Sequence, residues 1–330
     1  MYDRNAYPWI ASLNLRHTML RFEPEYVKTL WGGRRLGERF SRDIPQGAVG
    51  ESWELVDLDQ HRSRVAAGAR RGQALGELWR SGTLGGSAAG EFPFLLKWLD
   101  TNDFLSIQVH PDEACTERLG RGRAKSEAWL VAHREPDARL YLGHRAGLDA
   151  ETLRRAASSA SLEDWLLEIH PQVGDLIPVP AGTLHAIGPG FVLLEVQQPS
   201  DTTFRVYDWG RLGADGKPRE LHLEDACVAV CYERSGSSSI PADKLFGPTF
   251  TMRVLNVGDV VPVAGLRVLV AHGGDVDLAL AKSRATLELG AVTVAEPGDG
   301  EIEVLSRGCV LIGEAPPIDS TESSSQIRCP

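Results

Sequence analysis

Nowhere does the chain hold an apolar run approaching the roughly 20 residues that a helix needs to cross a bilayer. The opening MYDRNAYPWIASLNL has neither the basic block nor the apolar block of a secretory leader. The expectation is a cytoplasmic protein with no membrane partner. Basic residues are the next shortage: 35 Lys and Arg stand against 45 Asp and Glu, for a net charge of -10. That balance argues against a nucleic-acid partner, which calls for a clustered cationic face. An anionic substrate would have to meet a local group of cations instead. Cysteine is scarce and unpatterned. Cys115, Cys227, Cys231, Cys309 and Cys329 are odd in number and contain no CxxC pair, so no disulfide framework is expected. Cys227 and Cys231 lie four apart, on one face of a helix, where a zinc pair is conceivable but buried structural thiols are the commoner case. No tandem repeat of short period is present.

What is there suits one large or two ordinary folded domains. The chain has 330 residues, 42% of them hydrophobic and 24% charged. From Leu20 the sequence reads as short strands and turns, TLWGGRRLGERF and GAVGESWELVD among them. Helical spacing appears at about 70–79, in PDEACTERLG, in LDAETLRRAASSASLEDWLLEIHP and from Leu221 to Cys231. Strands with tight corners at Pro180-Ala181-Gly182 and Gly188-Pro189-Gly190 follow Val173. Short β-branched runs return between Thr249 and Glu314. The fold class expected is mainly β with helical insertions.

The most informative stretch is Ser106-Ile107-Gln108-Val109-His110-Pro111. In a strand, Ser106, Gln108 and His110 share one face while Ile107 and Val109 share the other. A polar row on a core-facing surface needs partners, because burying an amide or an imidazole without one is costly. A metal ion is one such partner. Gln108, His110, Glu127 in RAKSEAWLVAH and His185 in PAGTLHAIG make a candidate set of two imidazoles, a carboxylate and an amide oxygen, for which zinc is the plain choice. Taken singly, each is more often a hydrogen-bonded core residue or a surface charge than a ligand. A second group, Glu195, Asp201 and Arg205, lies close in sequence to His185, and Lys125 lies two residues from Glu127. Arg205 and Lys125 are the candidates for inward-facing cations. An Asp201–Arg205 ion pair that merely fixes a loop is the alternative.

The succession WGG, GESWEL, FPFLLKWLD, LSIQVHPD, KSEAW, GDLIPVPAGTLHAIGPG, LLEVQQPSDTTFRVYDWGR and PRELH resembles the type I mannose-6-phosphate isomerases in their short bacterial form. The likeness runs in order from about Trp31 to His222 and more faintly beyond. It implies a cupin architecture: two jelly-roll β-barrels, the first holding one zinc ion per chain and the second without metal. The boundaries implied are an N-terminal arm over 1–20, a catalytic domain over 21–235 with a helical insertion at about 111–170, a second β-domain over 236–317 and a disordered tail over 318–330. The metal ligands of the family fall on Gln108, His110, Glu127 and His185. Its catalytic positions fall on Arg205, Lys125, Asp201 and Glu195, and Ser106, Lys125 and Arg205 would contact substrate. Two departures are visible. Ala124-Lys125-Ser126-Glu127 stands where many relatives read HKPE, and the second β-domain carries only His272.

The activity implied is interconversion of mannose 6-phosphate and fructose 6-phosphate through an enediol, by a monomer or homodimer whose partner is a small sugar phosphate. Asp201 with Lys125 is the acid–base pair that the sequence suggests first. An isomerase of another sugar or phosphosugar, or a sugar-binding regulatory cupin without turnover, are the competing readings.

Overall fold

The computed structural model describes residues 19–86, 90–159, 161–213, 216–234 and 244–315. The disordered tail expected over 318–330, and the arm up to residue 18, lie outside the described residues. Met19 and Leu20 are described and buried, and Leu20 bridges to Val294.

The chain is mainly β, and its strands pair antiparallel in every named sheet. A six-stranded sheet runs in the order Glu25–Val27, Glu51–Leu55, Leu95–Thr101, Phe191–Gln197, Glu127–Arg134, Leu176–Val179. A five-stranded sheet orders Phe204–Tyr207, Ile107–Val109, His185–Ile187, Leu140–His144 and Leu166–Ile169. Asp57–Leu58 and His61–Arg62 form a two-stranded sheet, and the strands between Lys244 and Glu314 form a five-stranded and a four-stranded sheet.

Apolar clusters fix how these sheets are layered. Phe191–Gln197 is buried along its whole length because it serves two layers at once. Val192, Leu194 and Val196 join Leu96, Trp98 and Leu130 against Val268, Val270, Val310 and Ile312 of the C-terminal half. Phe191 and Leu193 turn the other way, toward Leu140, Leu142 and Ile187 of the five-stranded sheet. The period of two that sends those two residues inward also sends Glu195 and Gln197 inward. The outer face of the five-stranded sheet is covered by the helices Glu113–Leu119, Ala150–Ser158 and Leu223–Ala229, through Leu153, Cys115 and Ala226. Carrying charge into such an interior costs several kcal/mol per ion unless it is paired.

Some local readings need correction. TLWGGRRLGERF holds a helix, Arg35–Phe40, where strands and turns were expected. Its Leu36 and Phe40 bury one apolar stripe. The helix expected at about 70–79 is Leu75–Arg80. In the second helical piece expected before His170, Leu162–Trp165 is a single 3-10 turn and Leu166–Ile169 is a strand. The stretch 111–170 is therefore not a purely helical insertion, since Glu127–Arg134, Leu140–His144 and Leu166–Ile169 are built into the two sheets. Short amphipathic runs fit either period, and pairing with a neighbouring strand decided these cases.

Candidate metal centre

The Ile107–Val109 and His185–Ile187 strands pair so that His185 stands directly across from Gln108. His110 follows the first of these strands, and Glu127 opens the Glu127–Arg134 strand of the other sheet. The ligand atoms of His110, Glu127 and His185 all lie within 4.8 Å of one another. His110 Nε2 is 3.3 Å from Glu127 Oε2, and His185 Nε2 is 3.6 Å from Glu127 Oε1. All three side chains are buried.

The second nitrogen of each imidazole is spoken for. Nδ1 of His110 lies 3.0 Å from the carbonyl oxygen of Thr202, and Nδ1 of His185 lies 2.9 Å from that of Thr183. A carbonyl only accepts, so both Nδ1 atoms carry the proton and both Nε2 lone pairs face the centre. Burial, reinforced by the charge of Lys125, pushes the His110 pKa down to about 3. Burial also lowers that of His185. Both rings are thus neutral, the form that binds metal. Burial would raise the Glu127 carboxyl, but Lys125 Nζ at 3.0 Å, together with His110 and His185, outweighs it and holds the group well below the usual carboxylate range.

Buried polar atoms without hydrogen bonds are uncommon and call for a reason. Here His110 Nε2 and Glu127 Oε2 are two of them, the second held by the Lys125 charge at 3.0 Å without a hydrogen bond, and they lie 3.3 Å apart. Two imidazole lone pairs and a carboxylate converging in this way fit a first-row divalent cation such as zinc. Gln108 directs Nε2 to His185 Nε2 at 3.1 Å, while its Oε1 accepts from the Ser106 hydroxyl at 3.2 Å. Turning the amide end for end would bring Oε1 to the same centre.

Beside this centre lies a chain of buried charge. Glu195 stands across from Lys97 on one side and Trp129 on the other. Its Oε1 is 3.1 Å from Lys97 Nζ and 4.0 Å from Lys125 Nζ, and its Oε2 accepts from Trp129 Nε1 at 3.1 Å. Lys97 Nζ is also 3.4 Å from Glu51 Oε2, which accepts from Trp53 Nε1 at 2.6 Å. Burial and the charge of Glu127 raise the Glu195 carboxyl, against the pull of Lys97 and Lys125. Burial works against the charged form of Lys97, but Glu195, Glu51 and Glu127 together raise its pKa.

Arg205 faces Gln108 across the Phe204–Tyr207 and Ile107–Val109 strands, so His185, Gln108 and Arg205 form one row on the inner face. Its Nη1 donates to the Glu220 carbonyl at 2.8 Å, and its buried Nε has no partner. Burial, then the neighbouring Arg219 cation, lowers its pKa. Asp201 stands apart: it is exposed, and it makes no ion pair with Arg205 or Lys125 among the described residues. The acid that engages arginines in this region is Asp208, which accepts from Arg219 Nε at 2.7 Å and Arg211 Nη2 at 2.6 Å.

The sequence reading missed Lys97 and left Glu51 without a role. The signal was present in FPFLLKWLD, where one lysine interrupts an apolar strand and must be paired if it points inward. Cys227 follows the commoner reading of a free buried thiol, while a disulfide at Cys231 departs from the expectation of no disulfide framework, so the two do not form a zinc pair. No helix of the described residues is long and apolar enough to cross a membrane.

Comparison with known proteins gives a consistent picture. Residues 19–136 match the family described as phosphomannose isomerase type I, catalytic domain. The probable mannose-6-phosphate isomerase GmuF of Bacillus subtilis is 39% identical over 234 residues, which is 69% of this chain and 73% of that protein. The mannose-6-phosphate isomerase of Streptococcus mutans is 40% identical over 209 residues, 63% of this chain and 66% of its own length. The crystal structure of mannose 6-phosphate isomerase from Bacillus subtilis covers 90% of this chain and 99% of its own, with a TM-score of 0.79 and 27% identity. A further solved structure, a mannose 6-phosphate isomerase bound with zinc and yttrium, shares the fold with a TM-score of 0.68 at 16% identity.

Proposed function

The chain belongs to the type I phosphomannose isomerase family, and from that membership we propose that it interconverts mannose 6-phosphate and fructose 6-phosphate with one zinc ion per chain. The observation that carries this reading is the convergence of His110 Nε2, His185 Nε2 and Glu127 on one buried point beside a chain of paired lysines and glutamates. His110, His185, Glu127 and Gln108 would hold the metal. When bound, zinc would act as a Lewis acid toward the sugar oxygens at C1 and C2.

The reaction moves one proton from C2 to C1 of the open-chain sugar and one from the C2 hydroxyl to O1, by way of an enediol. The base must reach the proton first and suit it in pKa second. We assign that part to Glu195, whose raised pKa is the direction a proton acceptor at neutral pH needs. Lys125 and Lys97 set its charge balance from 4.0 and 3.1 Å. Trp129 fixes its second oxygen. Asp201 was the first candidate to pair with Lys125, but no contact supports it and Glu195 takes its place. Arg205, with Nε unpartnered, is the group for developing negative charge or for the phosphate, and Ser106 orients Gln108. A cytoplasmic location and a monomeric or homodimeric state belong to the same proposal.

Metal analysis of the purified protein alongside conversion of mannose 6-phosphate, with and without a chelator, tests the reading. Expected are one zinc per chain and activity lost on chelation and restored by zinc. Full metal occupancy with no turnover would instead favour a sugar-binding protein. Turnover of other sugars alone would move the assignment to another aldose.

A further inference from the structure

The Phe204–Tyr207 strand is the edge of its sheet, so Arg205 has a partner strand on one side only. Its main chain is closed on the open side all the same. The amide of His222 donates to the Arg205 carbonyl at 2.7 Å. In return the Arg205 amide donates to Nδ1 of the His222 imidazole at 3.2 Å. The ring nitrogen takes the place that a carbonyl of a further strand would fill. The same segment accepts from the Arg205 guanidinium through the Glu220 carbonyl at 2.8 Å.

Because both main-chain groups of Arg205 turn toward His222, Arg205 and Gln108 form the non-hydrogen-bonded kind of antiparallel pair, in which side chains sit closer. Gln108 is paired in turn with His185. Any slip or twist of this edge strand therefore moves a guanidinium relative to the metal ligands.

We propose that His222 is a positioning residue for Arg205, acting as a neutral imidazole whose Nδ1 lone pair fixes the edge strand. The proposal rests on the reading of Arg205 as a substrate-facing group. For Nδ1 to accept, the proton must sit on Nε2, and the Glu220 carboxylate 3.9 Å from Nε2 favours that tautomer. The Phe204 ring, 6.3 Å away between centroids, flanks the imidazole. His222 is half-buried at the start of the Leu223–Ala229 helix and, among the described residues, makes no hydrogen bond or ion pair with the proposed metal ligands.

The test depends on where an acceptor atom can be placed. His222→Asn puts its side-chain oxygen near the Nδ1 position, whereas His222→Gln carries it out toward Nε2 and His222→Ala removes it. The variants are purified with zinc, checked for melting temperature and metal content, and assayed alongside Arg205→Ala. Expected is a fall in kcat of about 10- to 100-fold for His222→Ala and His222→Gln, the scale of a catalytic group displaced by an ångström. His222→Asn should stay within a few-fold of the parent, and all three should keep their zinc. Parental kcat in folded His222→Ala, with Arg205→Ala inactive, would overturn the positioning role alone. Equal losses in His222→Asn and His222→Gln would overturn it too, since packing and not the acceptor would then be at issue. An active Arg205→Ala would instead remove the reading of Arg205 on which the proposal stands.

Discussion

Nδ1 of His110 lies 3.0 Å from the carbonyl oxygen of Thr202, a residue 92 positions further along the chain. That contact sets the tautomer of a proposed metal ligand through a loop that its own strand does not contain. Loss of an outer-shell partner of this kind typically costs 10- to 100-fold in metal affinity, about the least that loss of the ligand itself should cost. His110→Ala and His185→Ala are therefore expected to lose metal and activity together while circular dichroism stays parental. A variant that kept stoichiometric zinc would remove its histidine from the ligand set.

Arg205→Ala is expected to keep its metal and lose turnover by about 10²- to 10³-fold, the usual scale for removing a donor aimed at developing charge. Its guanidinium contacts a carbonyl and no metal ligand, so folding should be little affected. Parallel metal analysis and steady-state kinetics separate the two effects. Ordinary turnover in this variant would take Arg205 out of the reaction.

Lys97→Met should be the more damaging change to stability. The lysine is buried and neutralises Glu195 and Glu51 at 3.1 and 3.4 Å, so its removal leaves uncompensated carboxylates. Breaking a buried pair from one side costs about 3–5 kcal/mol. Urea unfolding should show that loss at neutral pH, and proton uptake by Glu195 should make it smaller in acid. A loss of less than about 1 kcal/mol, the scale of an exposed ion pair, would mean the network is more hydrated than its burial implies.

How much of this was readable in advance follows from what each residue's neighbours had to supply. Ser106, Gln108 and His110 declared themselves because alternation put three polar groups on one strand face while Ile107 and Val109 took the other. His185 and Glu127 joined the candidate set on residue type and strand polarity, but that their strands meet His110 across two sheets is not written in local periodicity. Lys97 was passed over because its role depends on Glu195, whose register partner it is and which lies 98 positions later. The Leu166–Ile169 strand was misread for the same reason, as pairing with Leu140–His144 outweighs a helical spacing of four residues. Asp201 is the contrasting case. An ion pair with Arg205 was the alternative reading of this acid, and the strand that begins at Phe204 carries Arg205 inward while the loop leaves Asp201 in solvent.

Gly182, in the turn before His185, has φ +82 and packs where a Cβ would meet Cys231 Cβ at 2.9 Å and the Ala229 carbonyl at 3.1 Å. Its amide also donates to the His110 carbonyl at 2.8 Å, so the turn couples the two histidines proposed as ligands. Gly182→Ala is expected to cost about 1–3 kcal/mol from the backbone conformation and to weaken zinc binding at the same time. Competition with a coloured chelator reads the affinity. Unchanged affinity in a destabilised protein would show that the turn supports the fold but does not aim His185.

His272 provides a test of the C-terminal half that is independent of the metal. Burial, with neither ring nitrogen bonded, pushes its pKa down to about 4 from an ordinary value near 6.5. The folded state thus prefers the neutral ring, and the unfolded chain takes up the proton first. Stability from this source is whole above about pH 6.5, falls by about 1.4 kcal/mol per unit as pH drops, and is exhausted near the folded pKa. The sum is about 3 kcal/mol between pH 6.5 and 4. His272→Met, which fills similar space without titrating, should lose about that much less stability than the parent over this range, while turnover at neutral pH stays parental. Equal acid sensitivity of the two proteins in denaturant unfolding would mean that His272 is hydrated or protonated in the folded state, and that its burial among the apolar residues of the second half is not closed to water.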